Sequence, residues 1–246
     1  MAEPQIVQWK RLSIEAVAIV ASILFAFAID AWWDERKERQ YEQDALLGLE
    51  SEYEDHRKTI DRQISTHKKL LGAVGYLMQA CQSGTYSTSD MSLDDAIFYL
   101  FIPITTDLGS GVRDSLISGG KIEILSNPKL RYALSAWDNV LDEVIDGQIF
   151  SRNLIRETFI PLVAEMGCCG GHGWSDKSRH PWPVSTRPVS TIDDMQERLF
   201  ANETFCSLLD YRYAEMNHTL DEYEDLSQAI LEILAMIRGS LGESAS

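Results

Sequence analysis

Basic residues are scarce in this 246-residue sequence: 22 lysines and arginines stand against 38 aspartates and glutamates, a net charge of −16. A surface so acidic repels phosphate backbones, and no nucleic-acid partner is expected. Its acidity reads as the solvated face of helices rather than as a calcium or cationic-substrate site, since no loop has the oxygen-ligand spacing of an EF-hand. The signatures of catalysis are missing as well. There is no P-loop, no GxGxxG, no GxSxG and no HExxH, so neither an enzyme nor a bound cofactor is expected. No stretch alternates apolar and polar residues as a half-buried strand does. With 45% hydrophobic residues the chain is too apolar to be disordered throughout, and its length allows one sizeable core or two small ones.

Present instead is one long apolar run. Leu12 to Trp33 reads LSIEAVAIVASILFAFAIDAWW, and about 22 residues at ~1.5 Å each cover the ~30 Å hydrocarbon thickness of a bilayer. The uninterrupted apolar part, Ala16 to Ile29, is short, so the span requires Glu15 and Asp30 near the two interfaces, about 22 Å apart along the axis. Trp32 and Trp33 fit as interface anchors, because indoles favour the headgroup level. Lys10 and Arg11 precede the span, while Arg36, Lys37 and Arg39 follow it among Asp34, Glu35 and Glu38. That count is nearly balanced. A short basic tail before an apolar run resembles an uncleaved signal anchor, which places residues 1–11 in the cytoplasm and the rest outside a bacterial inner membrane, in the periplasm. The alternative is a signal peptide cut at Ala28, since Ala26-Phe27-Ala28 has the A-x-A form.

One face of this span is small and polar. At 100° per residue, Arg11, Glu15, Ser22, Ala26 and Trp33 fall within about 40° of one line, with Ala18 and Asp30 about 60° off it on either flank. The Ala18-xxx-Ser22-xxx-Ala26 spacing lets helix backbones approach closely in lipid, and Glu15 at that depth prefers a partner or a wet cavity to lipid. The expectation is self-association through this face, with a ring of Glu15 side chains as one form of it; chance small-residue spacing in an alanine-rich span is the alternative.

Beyond the span a 3-4 repeat persists for five heptads: Leu46, Tyr53, Ile60, His67, Val74 and Cys81 form one series, and Leu49, His56, Gln63, Leu70 and Leu77 the other. One stalk helix from Asp34 to Cys81, continuous with the span and ~70 Å long, is predicted. Histidines and a glutamine in the seam suit packing within its own domain better than a two-stranded coiled coil. A turn-rich stretch, Gln82 to Asp90, ends the helix. Ser92 with Asp95 caps a short helix that Pro103 stops; Thr106 to Ser118 reads as another, ending at Gly119-Gly120; Asn127 with Pro128 opens a third that runs to about Glu165. Thr191 with Asp194 caps the last region, which breaks at Asn202 and continues to Gly239, leaving 241–246 as a flexible tail. The expected fold is all-α: an antiparallel bundle over 34–240 with Trp137 and Tyr211 in its core and a loop insertion over 167–190.

Two landmarks carry a resemblance. Ala21 to Arg36, ASILFAFAIDAWWDER, and Ser118 to Arg131, SGGKIEILSNPKLR, resemble a family of uncharacterised bacterial single-pass membrane proteins. Ser22 stands where that family usually has glycine, which loosens the closest helix approach. The resemblance covers the first ~60 residues well, Asp107 to about Asn139 moderately and the C-terminal helix only in pattern; it implies the topology and no activity.

The segment from Gly167 to Pro188, GCCGGHGWSDKSRHPWPVSTRP, matches nothing in that family. Cys168 and Cys169 with His172 and His180 could make a tetrahedral zinc set, although adjacent cysteines rarely face one ion. In an oxidising compartment disulfides are the stronger reading: Cys168 and Cys169 could staple this loop to Cys81 and Cys206, and four cysteines allow three connectivities. Cys168 with His172 lacks an orienting partner for nucleophilic catalysis. His56 and His67 read as satisfied core residues before a pH sensor. The expected role is a membrane-anchored, homo-oligomeric scaffold or an accessory subunit of a membrane-protein partner. An extracytoplasmic small-ligand or metal sensor working through a partner is one alternative, and a channel lined by the Glu15 face is another.

Overall fold

A computed structural model describes residues 9–109, 111–166 and 192–244. The chain is all-α, with no strand among the described residues.

Helix α1, Trp9–Ser83, is 75 residues long, about 110 Å at the α-helical rise. Nothing in it breaks a helix, since no proline lies between Pro4 and Pro103. It stops at Gly84, whose φ of 75° takes the left-handed conformation that a glycine adopts at no steric cost; the Gly84 amide donates to the Ala80 carbonyl at 2.8 Å. Span and stalk are thus one element.

Helix α2, Leu93–Leu100, starts as read: the Ser92 hydroxyl accepts from the Asp95 amide at 3.1 Å and donates to the Asp95 carboxylate at 2.7 Å. The helix expected over Thr106 to Ser118 is shorter. Helix α3 occupies only Gly111–Ser118, and residues 102–109 form no helix. Long-range partners hold that stretch instead. Gln63 Nε2 donates to Thr105 O (3.0 Å), the Thr106 amide donates to Gln148 Oε1 (3.0 Å), and His56 Nε2 meets Gly109 O (2.7 Å). Backbone groups of this loop are claimed by side chains of other helices, and local helix bonds lose. The Glu52 carboxylate accepts the Val112 and Arg113 amides (2.6 and 3.4 Å), capping α3 from a different helix.

Gly120, at φ 62°, closes α3 while the Lys121 amide reaches back to Leu116 O at 2.8 Å. After a single 3₁₀ turn, Ile122–Ile124, Asn127 Oδ1 accepts the Lys129 and Leu130 amides and starts α4, Pro128–Leu154. One wide π-type turn, Ile155–Phe159, leads into α5, Ile160–Glu165. Pro161 accounts for it, since its ring has no N–H to give and would crowd the carbonyl one turn back. The path expected to about Glu165 is therefore correct, with a change of winding. Helix α6, Ile192–Phe200, is followed by Asn202, whose Oδ1 accepts the Phe205 amide (2.9 Å) and begins α7, Glu203–Ser244. The tail expected from 241 is helical to Ser244, because partly buried Leu241 packs on the core.

Helices α1 and α7 run antiparallel. His67 meets Met216, Lys68 pairs with Glu224, and Arg238 at the far end of α7 reaches Glu50 and Glu54. Leu46, Leu49, Tyr53, Ile60, Leu70, Val74 and Leu77 of α1 are buried against Phe205, Leu209, Met216, Tyr223, Leu226, Ile230 and Ile237 of α7. Helix α4 adds Leu130, Leu134, Trp137 and Val144. Tyr211, expected in this core, is instead 51% exposed. The 3-4 register of α7 passes through Leu209 and Arg212, which leaves Tyr211 outside.

Candidate functional site

Three places could carry function: the apolar part of α1, the polar groups inside the bundle, and the grooves between its helices. Among the described residues, α1 is the one helix long and apolar enough to cross a membrane, and none of its apolar window is covered by the rest of the chain. Val17, Ile23, Leu24, Phe25 and Phe27 all stand exposed, which water would penalise and lipid would not. On the small face, Ser22 Oγ donates to Ala18 O at 2.8 Å. The hydroxyl is satisfied within its own helix and stays flat against it, so the face at Ala18, Ser22 and Ala26 remains low. Trp32 and Trp33 lie tilted with centroids 6.3 Å apart, and Arg36 and Lys37 sit over their rings at 5.7 and 5.9 Å. Each indole thus has a cation on its side away from the apolar run. Glu15 and Asp30 bound that run in sequence.

Because α1 is one helix, the direction of this face relative to the bundle follows from residue number. At 100° per residue, Leu46, Leu49, Tyr53 and Ile60 fall roughly 130–180° from the line through Glu15, Ser22, Ala26 and Trp33. At the membrane-proximal end, the buried side of α1 therefore lies opposite the small face, while farther along the helix buried Ala73, Leu77 and Ala80 come round toward that line. Leu47, 50% exposed, falls on the same side as the small face.

Cys81 and Cys206 are joined to each other by a disulfide, with Cα atoms 5.9 Å apart. The staple of each to the loop cysteines is thereby corrected: the antiparallel pairing brings the end of α1 to the start of α7, and each sulfur is the other's nearest partner. Cys168, Cys169, His172 and His180 lie outside the described residues. Among the described residues no group of three or more His, Cys, Asp or Glu side chains is arranged to hold a metal.

Inside the bundle, His56 and His67 are both buried. His56 stacks on Trp137 with ring planes 8° apart and centroids at 5.8 Å, while Tyr53 meets the same indole edge-on at 5.1 Å. His67 Nε2 lies 2.8 Å from Met216 O; burial above all, with the nearby Arg212 charge adding, pulls its pKa down to about 4 against the pull of that hydrogen bond. His67 joins α1 to α7, His56 joins α1 to the loop before α3, and the Nδ1 atom of each is buried. Arg113 spans α3 and α4, donating to Leu134 O (2.7 Å) and to Asp138 (2.8 Å). Arg212, 1% exposed, donates to Ser151 Oγ and Glu215 Oε2, each at 2.5 Å. Gln148 and Thr106 both bond the Tyr223 hydroxyl, at 3.1 and 2.7 Å. The sequence reading missed both arginines. The signal was available for Arg212, which stands seven residues after Phe205 in the seam of α7.

Of the grooves on the surface of the described residues, two border polar groups of the bundle. One, about 470 Å³, lies beside Glu52, Asp55, His56 and Asp107. The glycines before α3 resemble a phosphate cradle, but the Glu52 carboxylate already fills the helix N-terminus and would repel an anion. The other, about 340 Å³, runs between α4 and α7 beside Phe150 and Tyr211.

These features define an all-α bundle built on a helix able to cross a membrane. No family model, no curated protein and no solved structure matches the chain.

Proposed function

We propose that this protein is a membrane-anchored scaffold or accessory subunit that self-associates through the small face of α1. The bundle would stand outside a bacterial inner membrane, with the N-terminus in the cytoplasm. One relation carries the reading: the face with Ala18, Ser22 and Ala26 lies opposite Leu46, Leu49, Tyr53 and Ile60, the residues of α1 buried at the membrane-proximal end of the bundle. A second copy can bring its helix against it while both bundles hang outward, so close backbone approach in lipid meets no clash above the membrane. Exposed Leu47 extends the same face into water. In that arrangement Glu15 side chains of neighbouring copies come together at one interface. No catalytic group is invoked. The motifs around Trp32 and Asn127 that resemble uncharacterised single-pass membrane proteins agree with this topology.

The test is the mass of the detergent-solubilised full chain by light scattering, with Ser22→Leu beside the unaltered protein. A multimer that the substitution reduces to monomer supports the reading. A monomeric unaltered protein, or a multimer indifferent to bulk at Ser22, overturns it.

A further inference from the structure

The groove between α4 and α7 has features that neither packing nor the membrane anchor uses. Its walls are two rings, Phe150 and Tyr211, about half exposed (47% and 51%) and touching edge to face at 6.2 Å. Apolar rings left in water on a bundle with a filled core are surface that a ligand could cover. Its floor is Glu222, a side chain 17% exposed whose Oε1 lies 3.4 Å from the Nε2 of exposed His218. The Oε2 atom is buried with no hydrogen-bond partner.

That carboxylate is seated at a cost. Gly147, in the middle of α4, leaves the space: a Cβ there would stand 2.5 Å from Glu222 Oε2. Glycine in a helix interior is less stable than alanine would be there. Burial above all holds the Glu222 carboxyl above the usual range; the His218 charge pulls it back, and the neighbouring carboxylates of Glu143, Glu215 and Asp146 add to the rise. Glu215 is already engaged by Arg212 and Thr219. His218 is the one basic side chain on the groove's lining.

The geometry points to a binding site for an organic ammonium ion, whose charged end sits between the carboxylates of Glu222 and Asp146 and the rings of Phe150 and Tyr211, with its apolar stem along the same rings. Aromatic faces attract cations through their quadrupole, and carboxylates do so by charge, so the two walls select one ligand chemistry. A membrane lipid is not the source. Lys68 pairs with Glu224 at this level of the bundle, which puts the groove about 50 Å along α1 from Trp33. The ligand is a soluble amine, and its binding does not depend on whether copies associate through α1.

Isothermal titration of the full chain in detergent with n-butylammonium chloride, against the neutral isostere 1-pentanol, tests this. Saturable binding of the ammonium alone is expected, weakened about tenfold in Glu222→Gln and several-fold in Phe150→Leu, which keeps the apolar wall and removes the ring face. Gly147→Ala is expected to weaken it too, by pushing the carboxylate aside. Circular dichroism establishes that each variant is folded. No saturable binding, equal binding of the alcohol, or unaltered binding by folded Glu222→Gln and Phe150→Leu overturns the proposal.

Discussion

His67 Nε2 lies 2.8 Å from the Met216 carbonyl oxygen, joining α1 to α7 at mid-height through an imidazole that burial keeps neutral. The carbonyl can only accept, so Nε2 carries the proton and Nδ1 does not.

From that follows a pH dependence. His67 has its pKa depressed to about 4 in the folded chain, against 6.5 for the unperturbed group. Below 6.5 the unfolded chain takes up a proton that the folded one refuses, so stability is full above about 6.5 and falls as pH drops toward 4. The loss over that window is on the order of 3 kcal/mol. Urea midpoints at pH 7 and pH 5 should fall further apart in the unaltered protein than in His67→Gln; equal slopes would refute the assignment.

The disulfide closes a loop of 125 residues between the distal ends of α1 and α7. Removing it as Cys81→Ser with Cys206→Ser should cost about 2–5 kcal/mol, because the open chain regains loop entropy on unfolding. The fold should survive, since the core between the helices does not depend on it. Denaturant titration with and without reductant measures the difference.

Arg212 and Glu215 form an ion pair in which both side chains are more than nine-tenths buried. Removing one partner strands the other's charge. Glu215→Leu leaves the Arg212 guanidinium unpaired and should cost about 3–5 kcal/mol, whereas the double change to Met at 212 and Leu at 215 should cost less than Glu215→Leu alone. Thermal melts of the three proteins decide it; a double variant less stable than the single one would contradict the account.

Trp137 packs against both Tyr53 and His56, whose rings also touch each other, and is 1% exposed. Trp137→Ala should destabilise by about 3–5 kcal/mol through lost burial and the cavity left behind. Leu→Ala-sized losses at exposed Tyr132, 77% exposed on the same helix, are not expected. Urea unfolding followed by far-ultraviolet circular dichroism compares the two.

Much of the architecture was legible from residue order alone. The apolar run, the five heptads into Cys81, the caps at Ser92 and Asn127, the break at Asn202 and the stop at Gly119-Gly120 are local signals, each set by neighbours three or four positions away. They fix where helices begin, end and bury a face. What failed was non-local. The stretch from Thr106 to Gly109 reads as helix until Gln148 and His56, far away in sequence, take its backbone groups. Tyr211 reads as core until the register through Arg212 turns it outward.

The sequence by itself therefore determined that the chain is helical, where it can cross a bilayer and which face of the span is small, because helical periodicity is a property of consecutive residues. Only the tertiary structure decided which cysteines meet, that the small face lies opposite the α1 residues buried at the membrane-proximal end of the bundle, and that Glu222 settles over Gly147 between two exposed rings. Those are relations between helices, and they arise when α1, α4 and α7 choose which faces to bury together.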